Sequence, residues 1–143
     1  MSSRVWRDGQ LIASDFELDA LDRYLADPNV LVWFDLCEPT PELLDRLAGE
    51  LNFSSHAVED ALAPQERPKA VWHGEHLFVQ AYSVRLVDVP GFESRVRATR
   101  VSAFMVPNGL ITVRTDDGFD AATLMRRWDE DPGLVRFGVG GLL

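Results

Sequence analysis

The chain has 143 residues, the size of one domain, and a domain of this size buries roughly two thirds of its unfolded surface. Fourteen Lys and Arg against 23 Asp and Glu give a formal charge of -9, which repels nucleic-acid phosphates and anionic lipid headgroups and excludes nucleic acid as a partner. The single Cys37 excludes an internal disulfide, no stretch has the pattern of a secretory leader, and no apolar run approaches the ~20 residues that cross a bilayer, so a reducing cytosol is the expected compartment.

In chain order, Ser14-Asp15-Phe16-Glu17 has the spacing of a capping box and predicts a helix whose apolar stripe is Leu18, Leu21 and Leu25, with Asp27-Pro28-Asn29 stopping it. Val30–Phe34 is continuously apolar and continues through Asp35-Leu36, the pattern of a strand covered on both faces and central in its sheet. Thr40-Pro41 reads as N-cap and first helical residue. Leu43, Leu44, Leu47 and Leu51 form the buried stripe of that helix, and Asn52 is its left-handed terminator. A short helix capped by Ser54 or Ser55 carries Val58, Glu59, Asp60 and Leu62 up to Pro64.

Beyond it the period changes. Arg67 precedes a proline and is therefore extended. Val71, His73, the turn residues Gly74-Glu75 and then Leu77–Val84 read as a hairpin. Val96–Val106 and Leu110–Arg114 are two further strands, with Asn108-Gly109 predicted as a type I′ turn between them. Asp116, Asp117 and Gly118 close the last strand and lead into a helix from about Phe119 to Asp129, ended by Asp131-Pro132-Gly133. The final segment, Leu134–Leu143, stops without a cap, a charge or a turn and reads as an interrupted helix.

The expected fold class is α/β, a mixed sheet with a parallel start and an antiparallel meander, packed between helices in two or three layers. The first two strands are expected to run parallel. Trp33, Phe34, Leu47, Leu77, Val79 and Val101 are expected in the core. Residues 1–143 read as a single domain.

Little in the sequence suggests catalysis. His73-x-x-His76 lacks a third ligand for zinc, and Cys37, at the end of an apolar strand, reads as a small core residue with no nucleophilic role. No glycine-rich phosphate loop follows a strand, and Trp6, Trp33, Trp72 and Trp128 are dispersed without basic neighbours. The most informative stretch is Glu59-Asp60-Ala61-Leu62 followed by Arg67-Pro68-Lys69. On chemistry alone it has two readings: an ion pair of one carboxylate with Arg67 or Lys69 that fixes the chain path, or divalent-cation binding. Mg²⁺ takes oxygen ligands and sheds water reluctantly, so one or two carboxylates with retained water make a weak site, completed by a carboxylate from a neighbouring subunit.

Together with Trp33-Phe34-Asp35-Leu36 and Glu38-Pro39-Thr40, that block resembles the cytoplasmic amino-terminal domain of the CorA family of magnesium transport proteins. The resemblance implies a non-enzymatic, Mg²⁺-sensing and gating domain on the cytoplasmic side of the membrane, here ending before the long stalk helix and the membrane helices of the family. It implies Asp60, with Glu59 beside it, as ligands of a weak regulatory Mg²⁺ held between adjacent subunits of a homopentamer, the second carboxylate lying on the stalk. Arg67, Pro68 and Lys69 match the family block and take structural roles, whereas Gln65-Glu66 departs from it by adding negative charge. The implied partners are the neighbouring subunits and the stalk helix. The isolated chain is expected to be monomeric and to bind Mg²⁺ weakly, because those partners are missing. The alternatives are the same domain from a zinc-transporting relative, or a free-standing interaction domain.

Overall fold

The fold was analysed in a computed structural model that describes residues 1–63, 66–88, 90–91 and 95–143. Among these residues seven strands form one mixed sheet: β1 Ser2–Arg7, β2 Gln10–Ser14, β3 Val30–Cys37, β4 Lys69–His73, β5 His76–Val87, β6 Arg95–Val106 and β7 Gly109–Arg114. The same residues form five α-helices: α1 Leu21–Leu25, α2 Pro41–Leu51, α3 Ser55–Leu62, α4 Ala121–Glu130 and α5 Gly138–Leu142. The spatial order of strands is β2-β1-β3-β7-β6-β5-β4.

β3 lies between β1 and β7, which explains why Val30 through Leu36 are all buried: pairing satisfies both edges and helices cover both faces. The expected mixed α/β sheet is present, but its parallel pair differs from the one expected. β3 runs parallel to β7, from Val32 opposite Gly109 to Cys37 opposite Arg114, and not to the next strand in sequence. The meander β4–β7 is antiparallel throughout.

Two cores make the arrangement three-layered. On one face α1, α2 and α3 press Leu21, Leu44, Leu47, Val58 and Ala61 against Val32, Phe34, Phe78, Phe104 and Ile111. On the other, α4 and α5 set Met125, Trp128, Val139 and Leu142 against Trp6, Leu31, Trp33 and Leu110. Trp33, Phe34 and Leu47 are buried as expected. Leu77, Val79 and Val101 are only half-buried. They face the second layer, where α4 and α5 are too short to cover the sheet, and Val79 and Val101 line an apolar cleft of about 260 Å³ beside Trp33, Phe119 and Leu142.

Several local expectations hold for the reasons given. The Thr40 side chain accepts a hydrogen bond from the Leu43 amide with Pro41 opening α2, and Asn52 ends it in the left-handed region at φ 53°. Gly74, at φ 62°, occupies the two-residue turn between His73 and His76.

Others are corrected. The capping box does not form: Ser14 pairs with Arg4 as the last residue of β2, and the helical segment begins as a 3₁₀ turn at Leu18–Ala20 whose cap, Glu17, makes no side-chain bond. The turn before β7 is Pro107-Asn108, with Gly109 already paired to Val106. Pro107 fixes a negative φ, so a type I′ turn is unavailable there. The fourth helix starts two residues later than expected, capped by Asp120, whose carboxylate accepts from the Thr123 amide. Cys37 is half-buried at the end of β3, outside the core. Pro64, expected to end α3, lies outside the described residues.

β5 and β6 pair over their whole length, but β4 reaches only Gln80 and β7 only Val101. The remainder, Ala81–Val87 against Arg95–Arg100, is a two-stranded ribbon that projects beyond the sheet and exposes Val84, Leu86 and Val96.

Candidate metal centre at the end of α3

α3 is built on a small apolar stripe, Ala57, Val58 and Ala61, that lets the helix lie close to the sheet. Its C-terminal carbonyls would be orphaned there without partners. The sheet supplies them. Gln80 of β5, 2% exposed, donates through Nε2 to the Asp60 carbonyl at 3.2 Å. Arg100 of β6, 5% exposed, donates through Nη2 to the Ala61 carbonyl at 2.9 Å and through Nη1 to the Ala63 carbonyl. The guanidinium charge thus sits at the negative end of the helix dipole, which stabilises both. Nε of Arg100 and Oε1 of Gln80 are buried without a partner among the described residues.

This fixed helix end presents Asp60. Its Oδ2 lies 2.8 Å from Nζ of Lys69, and the same Nζ lies 3.0 Å from Oε2 of Glu66. All three side chains are about a quarter to a third exposed. The hydrogen bond to Asp60, and next that to Glu66, hold the Lys69 ammonium above its usual range. Glu66 is in turn tethered through its carbonyl, which accepts from the Tyr82 hydroxyl at 2.6 Å. Such a partly exposed, solvent-screened pair fixes the path of the chain more than it adds to stability.

Glu59 is not brought to this point. It is exposed, with its carboxylate 3.8 Å from His56 Nδ1, as a one-residue step along a helix turns it away from Asp60. Arg67 and Pro68 are exposed, and of the basic residues in the block Lys69 makes the ion pair. Glu66 therefore stands where sequence reasoning set Glu59. Gln80 and Arg100 were missed as well. A signal was present for Arg100: it falls in phase with Phe104 and Ser102 on the inward face of a strand, where an arginine must find oxygen partners.

As a donor set, Asp60 and Glu66 suit a hard cation, because both are carboxylates and they already converge on one positive group. They are too few to enclose it. Among the described residues no group of three His, Cys, Asp or Glu could hold a metal ion. His73 and His76 face each other across the β4–β5 turn, yet their rings pack on Phe78 and Phe53.

A second polar cluster is wholly internal. Asp35, fully buried, accepts from Arg114 through Nε and, at 2.8 Å, through Nη2, and from the Thr112 hydroxyl at 2.6 Å. Thr112 accepts from Trp33 Nε1, and Arg114 Nη1 reaches the Phe119 carbonyl at 2.6 Å. Burial acts to lower the pKa of Arg114, but hydrogen bonding to Asp35 and its charge leave it above the usual value. Every donor in the cluster is used internally, so its role is to join β3, β7 and the approach to α4.

This domain matches the family described as CorA-like Mg2+ transporter protein over residues 28–136. The chain belongs to that family, which is one of transporters and not of enzymes. Among solved structures, the soluble domain of CorA from Methanocaldococcus jannaschii is similar over 98% of this chain and 52% of its own, at 18% identity and a TM-score of 0.65. The complete CorA magnesium transporter from the same organism aligns with 87% of this chain and 35% of its own, at 15% identity and a TM-score of 0.56. The full-length CmaX protein aligns with 93% and 40%, at 21% identity and 0.62. At these identities the likeness is one of fold, the CorA soluble-domain fold. No curated protein matches the sequence significantly. The chain spans about half of the soluble domain it resembles, and among the described residues no helix is long and apolar enough to cross a membrane.

Proposed function

We propose that this chain is the Mg²⁺-sensing, gating domain of a CorA-type transporter, on the cytoplasmic side of the membrane. The observation that carries the reading is the Asp60 carboxylate, set on a helix end that Gln80 and Arg100 fix and accompanied, among the described residues, by one further carboxylate. A site of that composition leaves most of the metal's coordination to water and to a neighbouring subunit, so its occupancy tracks concentration. Bound Mg²⁺ supplies positive charge that bridges two subunits. Asp60 supplies the carboxylate on this side, while Glu59, turned outward beside His56, adds negative potential to the same helix. Neighbouring copies in a homopentamer, and a stalk helix beyond this domain, are the partners this reading requires. Because the ligands of an interface site separate when the ring opens, Mg²⁺ favours the closed arrangement by its differential affinity.

The test uses the full-length transporter. Asp60→Asn is expected to raise the Mg²⁺ concentration needed for closure while leaving permeation intact, since Asp60 senses and does not line the pore. A dose response identical to that of the natural protein would remove Asp60 from the role. Isolated, the 143-residue chain is expected to bind Mg²⁺ only weakly, and tight binding in calorimetry would argue against a site completed by a second subunit.

A further inference from the structure

At the proposed site a positive group is already in place. Lys69 leaves the first residue of β4 and puts its ammonium 2.8 Å from Asp60 and 3.0 Å from Glu66, on the very oxygens a cation would use. Those oxygens are not held by backbone amides or by other side chains among the described residues, whereas Asp27, Asp116, Asp120 and Asp131 each accept from a backbone amide of their own turn. Lys69 is the tether of Asp60, and it is a mobile one, because a four-carbon stem can swing away from a partly exposed pair at little cost.

We infer that Lys69 is an internal competitor of the regulatory cation, occupying the Asp60 and Glu66 carboxylates when Mg²⁺ is scarce and displaced from Asp60 when it is bound. The inference rests on the reading of Asp60 as a ligand and adds to it a cause for the site's weakness. An ammonium beside a carboxylate opposes a divalent ion twice, by blocking the oxygen and by repelling the incoming charge. It also leaves a use for the empty state: with Lys69 seated, Asp60 is not a bare carboxylate facing the carboxylates of a neighbour. The threshold for Mg²⁺ is thereby raised by a residue of the same subunit as Asp60.

The test is a Mg²⁺ titration of the full-length protein read by protection from limited proteolysis, which follows binding without transport, in the natural protein and in Lys69→Met, Lys69→Arg and Asp60→Asn. Removing one partly exposed charge adjacent to a divalent ion is expected to lower the half-protecting concentration in Lys69→Met roughly tenfold. Lys69→Arg, which keeps the charge, is expected to stay close to the natural midpoint. Lys69→Gln serves as a second neutral variant should Lys69→Met melt early. A neutral variant with an unchanged or higher midpoint, while Asp60→Asn loses protection, overturns the competitor role and leaves the sensing role standing. Unchanged protection in Asp60→Asn overturns the sensing role, and the competitor role with it.

Discussion

Arg114→Met is the most decisive perturbation of the fold. It removes the three contacts from the guanidinium to Asp35 and the bond to the Phe119 carbonyl, and it leaves a fully buried carboxylate with only the Thr112 hydroxyl. Breaking a buried pair from one side costs about 3–5 kcal/mol, against a total of about 5–15 kcal/mol for a typical domain. With a urea dependence of about 1–3 kcal/mol per molar, the unfolding midpoint should fall by roughly 1–5 M. Arg114→Met combined with Asp35→Leu removes both charges, and this double variant should be more stable than Arg114→Met alone, because no unpaired charge then remains inside. Equilibrium urea denaturation followed by tryptophan fluorescence measures all of these, Trp33 being linked to the cluster through Thr112. A single-variant loss below about 1 kcal/mol, or a double variant no better than the sum of its singles, would refute the account of the cluster as an interdependent pair.

Two further outcomes are expected. Thr40→Ala removes the cap of α2 and should cost about 1 kcal/mol, read as a lower melting temperature, with Thr40→Ser recovering most of it; equal melting of all three would mean that the cap bond is inconsequential. The Asp116 carboxyl is held below the usual value chiefly by the Thr99 hydroxyl, with the Gly118 amide and Arg97 acting the same way, and Asp120 by the hydroxyl and amide of Thr123. A lowered folded pKa contributes stability that is complete above the unfolded value of about 3.9 and lost as pH falls through the lower folded value, so urea midpoints should drop below about pH 4 and drop less steeply in an Asp116→Asn, Asp120→Asn variant.

What the sequence made legible was whatever is encoded locally. α2 could be placed at both ends because Thr40-Pro41 and Asn52 act within one turn of themselves. β3 announced itself as central because Val30–Phe34 is continuously apolar, and Val30–Leu36 are all buried in the fold. The β1–β2 hairpin has a local signal in Asp8-Gly9, both at positive φ in its two-residue turn with Val5 and Trp6 before it, but the Ser14-Asp15-Phe16-Glu17 spacing signals a helix start at the same point. The two signals compete, and strand pairing to Arg4 outweighs a local cap. The parallel partner of β3 was out of reach for another reason: which strand joins it depends on packing across some seventy residues of chain, and no neighbouring residue encodes that. The candidate site divides the same way. The pairing of Asp60 with Lys69 was among the alternatives read from the block itself, whereas Gln80 and Arg100 reach α3 only through the register of β5 with β6.

The position of β3 between strands from opposite ends of the chain has a consequence for biosynthesis. β1 is made before β3, but β7 follows it by about 70 residues, which take about 4–14 s to translate at ~5–20 residues per second. Throughout that interval Val30–Phe34 has one unpaired edge and two greasy faces, and the α1, α2 and α3 segments can shield only one of them. The domain therefore emerges from the ribosome with its most aggregation-prone strand waiting for its partner, and slowing translation before Gly109 should increase its dependence on chaperones.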